Sequence, residues 1–125
     1  MLIARVRAIH DKVHGTLPDG RPYSANDPDL LSWVHVAGAT CFLRSYMRYR
    51  DPNFSTADQD RYFAETSQIA QRLGAISVPE NLRDANTFLE DARPHLKVDH
   101  RTREVARALI NQRPASLALA PGCLT

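Results

Sequence analysis

His35 is the strongly polar side chain in the middle of an uncharged run, Leu30 to Leu43 (LLSWVHVAGATCFL). An imidazole in apolar surroundings needs a partner, and in its neutral form it is a ready metal ligand. On a helix its neighbours one turn away are Leu31 and Ser32 behind it and Gly38 and Ala39 ahead. A flat ligand such as a porphyrin reaches a helix only where the side chains beside the ligating histidine are short. Gly38 and Ala39 leave that room where Leu30, Trp33 and Phe42 would not. One axial histidine is enough to hold heme iron. The alternative is a core histidine satisfied by a backbone carbonyl or a polar side chain.

Two further groups carry chemistry-bearing residues. His10-Asp11-Lys12-Val13-His14 has the spacing of the zinc-binding HExxH helix, with Asp in place of Glu. The aspartate is one methylene shorter than the usual base, His14 abuts Gly15 where a helix frays, and no third ligand is evident. A solvated helix end is therefore the favoured reading of that pair. Arg5 and Arg7 precede it, and one of them must sit close to the inward side of Ile9 and Val13. A half-buried arginine there could clamp a carboxylate; a snorkelling surface arginine is the alternative. The charges of the later segments, such as Asp58, Asp60, Arg61 and Glu65, or Arg101, Arg103, Glu104 and Arg107, have the scatter of solvated helix faces.

The elements that must position these residues are helices. Leu2, Val6, Ile9 and Val13 recur at helical spacing, and Gly15 is the expected stop. Thr16 to Asn26 (TLPDGRPYSAN) reads as a loop with a turn at Pro18, Asp19 and Gly20. Asp27-Pro28 supplies an N-cap and an N1 proline for a central helix over about 28–49, apolar on every side and so expected to be packed all round. Cys41 falls inside it as a small hydrophobe. Ser55 with Asp58 opens a third helix that Gly74 ends; Pro79 and Asn81 introduce a fourth, with Leu82, Ala85, Phe88, Leu89 and Ala92 inward. Asp99 with Thr102 opens a fifth, with Val105, Ala108 and Leu109 inward and Pro114 as its stop. No period-2 alternation marks a strand. The fold class is all-α, a single domain of about five helices around the central one.

The whole-chain quantities narrow the function classes. The length of 125 residues suits about one domain. Sixteen Lys and Arg against 14 Asp and Glu leave a net charge of +2, interleaved along the helices, which is no nucleic-acid footprint. The two cysteines, Cys41 and Cys123, have neither metal-finger nor CxxC spacing. No apolar segment is long enough for a membrane span, and arginines interrupt the apolar residues of the first helix, unlike a signal peptide. A cytoplasmic location is the expectation.

Arg5-Val6-x-x-Ile9-His10-x-x-Val13-x-Gly15, followed by Gly20-Arg21-Pro22-Tyr23-Ser24-Ala25-Asn26-Asp27-Pro28-x-Leu30-Leu31-x-Trp33-Val34-His35, resembles the core signature of the mpaB-like oxygenases. That family includes the latex-clearing rubber oxygenases. Asp60-Arg61-Tyr62-x-x-Glu65, Ile69-Ala70-x-x-Leu73-Gly74 and the Val78-Pro79 turn follow the same pattern, so the resemblance spans about Val6 to Ile110. It implies an all-helical heme-b oxidoreductase in which His35 is the axial iron ligand, beside the room that the spacing of Gly38 and Ala39 leaves, and Arg5 and His10 line the pocket as catalytic candidates. It also implies dioxygen and a small apolar substrate, an isoprenoid or another alkene. Family domains extend on both sides of this stretch. Residues 1–114 are therefore expected to be a partial domain and 115–125 a truncated element, with self-association as one way to cover the central helix. The alternative is a non-catalytic helical module that packs against a partner, or against itself, through that helix.

Overall fold

The structure is a computed structural model that describes residues 2–112. Five α-helices carry most of the described chain: α1 (Leu2–His10), α2 (Pro28–Tyr49), α3 (Thr56–Leu73), α4 (Leu82–Ala92) and α5 (His100–Asn111). Two short strands, β1 (His14–Thr16) and β2 (Pro22–Ser24), lie between α1 and α2. The all-α class expected from the sequence is what the structure has. The chain divides into two units, Met1–Pro94 and His95–Thr125. The expected tail element at 115–125 lies outside the described residues.

The helix ends follow local chemistry. Asp27 caps α2, its carboxylate accepting the Leu30 N–H at 2.9 Å, with Pro28 in the first turn. Ser55 caps α3 by accepting the Asp58 N–H at 3.1 Å. Gly74 ends that helix at φ +108, a left-handed conformation that suits glycine. Asn81 caps α4 through the Asp84 N–H, and Asp99 with Thr102 forms a reciprocal capping box on α5.

Within the first unit α2 packs against α3 and α4, and α1 packs against α3. The buried apolar residues are Val36, Ala39 and Leu43 of α2, Phe63 and Ala70 of α3, Ala75 and Val78 of the link to α4, and Ala85 of α4. On α2 they form one stripe with the buried Ser32 and Thr40. The expectation that this helix is packed all round is thereby corrected. Val34 is 55% exposed and Phe42 74%, and Cys41 is exposed as well. Lack of charge made the helix look enclosed, but the neighbours in this unit cover only one side of it.

Three other expectations change. Helix α1 stops at His10, and Gly15 lies in β1, where it pairs with Tyr23 in an antiparallel hairpin. Its role there is space, since a Cβ would meet the Tyr23 ring at 3.0 Å. The expected turn at Pro18 to Gly20 is present, with Gly20 at φ +85 and Asp19 paired to Arg21 at 2.7 Å. It joins strands of three residues, too short to show alternation. Arg5 and Arg7 are both exposed, as in the snorkelling reading and unlike a half-buried clamp. Val105 and Leu109 of α5, expected inward, are exposed, and α5 has no buried residue.

Candidate functional site

Beside its buried stripe, α2 carries a second one. Leu31, His35, Gly38, Phe42 and Tyr46 follow at helical spacing and face a matching row on α3, formed by Tyr62, Thr66, Ile69 and Leu73. Between the two rows runs a groove made of three hollows. The first, about 200 Å³, is lined by His10, Leu31, Val34, His35, Ala70 and Leu73. The second, about 350 Å³, is lined by Val34, His35, Gly38, Ala39, Phe42, Tyr62, Thr66 and Ile69. The third, about 400 Å³, is lined by Phe42, Leu43, Tyr46, Phe54 and Tyr62. His35 is common to the first two hollows, and Phe42 and Tyr62 to the last two.

His35 is partly buried and has no hydrogen-bond partner among the described residues. Desolvation therefore acts unopposed and holds its pKa below the ordinary histidine value. A neutral imidazole with both nitrogens unengaged is the form that ligates a metal. Gly38, one turn ahead of His35, has open space where a Cβ would stand. Ala39 is buried in the core and touches the groove from below, its carbonyl accepting the Tyr62 hydroxyl at 3.1 Å. Burial raises the Tyr62 pKa, so the phenol stays protonated and keeps that tie between α2 and α3.

Because Gly38 is a helix-interior glycine with nothing above it, Gly38→Ala is expected to raise stability by about 1 kcal/mol. A urea titration followed by circular dichroism reads the gain. A loss instead would mean that the space above Gly38 is already filled.

His10 sits at the C-terminal end of α1 and lines the hollow that His35 lines. Its Nδ1 is buried without a hydrogen-bond partner among the described residues. The structure thus brings together His10, His35, Gly38 and Ala39. It leaves Arg5 apart: Arg5 is exposed, lines none of the three hollows, and is about 140° round the helix from His10. His14 is on β1, so His10 and His14 share no helix face, and the HExxH-like spacing has no structural counterpart. Among the described residues no three His, Cys, Asp or Glu gather to hold a bare metal ion.

Tyr62, Ile69 and Leu73 of the α3 wall follow the family pattern in the sequence, but nothing there marks them, or Thr66, as lining a site. The wall's signal is the spacing of Tyr62, Thr66, Ile69 and Leu73, a stripe offset from the buried Phe63, Ser67 and Ala70. Chemically, the arrangement offers one uncharged nitrogen ligand on a wall of apolar side chains, a second imidazole at one end, and an aromatic hollow at the other.

No helix among the described residues is long and apolar enough to cross a membrane. Neither the curated proteins nor the solved structures compared contain a match to the chain. A family model does match, over residues 1–124, and its description is ER-bound oxygenase mpaB/B′/rubber oxygenase, catalytic domain. With nearly its whole length covered by that model, the chain belongs to this family of oxygenase catalytic domains.

Proposed function

We propose that the chain is a heme-b-dependent oxygenase in which His35 ligates the iron and the groove between α2 and α3 receives an apolar substrate, an isoprenoid or another alkene. The observation that carries this reading is His35 itself: a partly buried imidazole, kept neutral by desolvation, without a hydrogen-bond partner among the described residues and beside the open space at Gly38. An iron held in a porphyrin needs only one such protein ligand. When bound, heme supplies a redox-active iron at which dioxygen reacts.

The chain's own residues take the remaining roles. Val34, Phe42 and Ile69 offer apolar surface against the macrocycle and the substrate and reduce the access of water. Ala39, with its short side chain beside His35, would leave room for the group. His10, with its buried and unpaired Nδ1, holds or passes a proton at that atom. Arg5, exposed on α1 and lining none of the three hollows, is given no role at the site.

The test is an absorbance titration of the purified chain with hemin beside His35→Ala. A saturable Soret band is expected for the wild type and its loss for the variant. Because burial lowers the His35 pKa, the imidazole stays unprotonated below the ordinary value of about 6.5. Uptake is therefore expected to persist below that pH and fail only as His35 takes up its proton. A band indifferent to His35 would exclude it as the ligand. Absence of any band would favour the second reading, suggested by the exposed Val34 and Phe42, of a non-catalytic helical module that packs through α2.

A further inference from the structure

The face of α2 turned away from the core carries a pattern that shares only Val34 with the groove. Leu30, Val34, Ala37, Cys41, Ser45 and Arg48 succeed one another at spacings of four, three, four, four and three, which keeps them on one side of the helix. All are exposed except Ala37, which is half-buried. The middle of this face is uncharged, and its two ends are not. Asp27 stands at the N-terminal end, and Arg48, flanked by Arg44, stands at the C-terminal end about 31 Å away.

A second copy laid antiparallel brings Asp27 of each chain to Arg48 of the other. The pairing is fixed by one relation, since the numbers of facing residues add to 75. That same register sets Leu30 against Ser45 and Val34 against Cys41, so each larger apolar side chain meets a smaller one. At its centre the two Ala37 side chains come within one residue of standing opposite each other, so the axis is lined by small groups. A parallel pairing has none of these features; it stacks Asp27 on Asp27 and Arg48 on Arg48. We propose that this face is the interface between two copies of the chain, an antiparallel α2–α2 pair with its two-fold axis between Ala37 and Gly38. The contact is isologous and closes on itself. The proposal goes beyond the heme reading and does not depend on it. Val34 and Gly38 border both the groove and this face, so the test uses the full chain without added hemin.

Sedimentation equilibrium is expected to give a dimer mass at concentrations up to about 100 µM, and Arg48→Glu to weaken that dimer about tenfold or more without changing the helical circular dichroism. Disulfide trapping fixes the register. With Cys41→Ser and Cys123→Ser, Ala37→Cys is expected to oxidise to a covalent dimer. With Cys123→Ser alone, the two Cys41 thiols lie about 10 Å out of register and should not. A monomer throughout the concentration range, a failure of the Ala37→Cys chains to cross-link, or a Cys41–Cys41 bridge would each overturn the proposal.

Discussion

Phe63→Ala is expected to remove most of the stability of the first unit. The ring is the largest fully buried side chain, 2% exposed, and it lies in the core that α2, α3 and α4 share. It is also set edge-on to Tyr62, with the ring centroids 5.5 Å apart, so the packing of the groove wall depends on it. Truncation costs the transfer energy of the ring and leaves a cavity, together about 3–5 kcal/mol. A domain of this size is stable by only about 5–15 kcal/mol. Urea unfolding followed by circular dichroism should show the midpoint fall sharply or the transition disappear. A loss under about 1 kcal/mol would mean that the core is not organised around this ring.

Ser32→Ala is expected to cost about 1–3 kcal/mol, a large effect for one hydroxyl. Ser32 is buried on α2, and its hydroxyl lies 2.6 Å from the Ile76 carbonyl and 2.8 Å from the Pro28 carbonyl while accepting the Ile76 N–H at 3.0 Å. It thereby ties the link between α3 and α4 to the first turn of α2. The next residue in that link, Ser77, has φ 51, a conformation that a side-chain-bearing residue keeps only when its surroundings hold it. Without the hydroxyl, the Ile76 N–H and carbonyl lose their side-chain partner. Hydrogen exchange at Ile76 should accelerate along with the drop in stability, and unchanged protection there would show that the link is held by something else.

The sequence was most legible where one residue decides a backbone geometry. Asp27-Pro28, Ser55 with Asp58, Gly74, Asn81 and Asp99 with Thr102 each mark an end that the structure confirms, because capping is local. It was least legible where the deciding contact is distant in the chain. Gly15 looks like a helix stop until Tyr23 is seen against it. The run from Leu30 to Leu43 has no charge, but only its neighbours determine which of its sides is covered, and Val34 and Phe42 are on the uncovered part. His35 was singled out by its surroundings in the sequence. Its facing wall on α3 and its proximity to His10 depend on how three helices pack, and no spacing within one segment encodes that.

The small hairpin bears on how fast the site can assemble. Seventeen residues, 11–27, separate α1 from α2. Once His14 pairs with Ser24, only residues 11–14 and 24–27 still bridge the gap, about half as many. Each halving of a flexible loop reduces its closure entropy by about 0.6 kcal/mol. A two-stranded ribbon of this kind forms within about 1–10 µs. Docking of α1 onto α3, the step that carries His10 toward His35, thus becomes the closing of a short loop after a fast local event, and the search for that contact is correspondingly narrower.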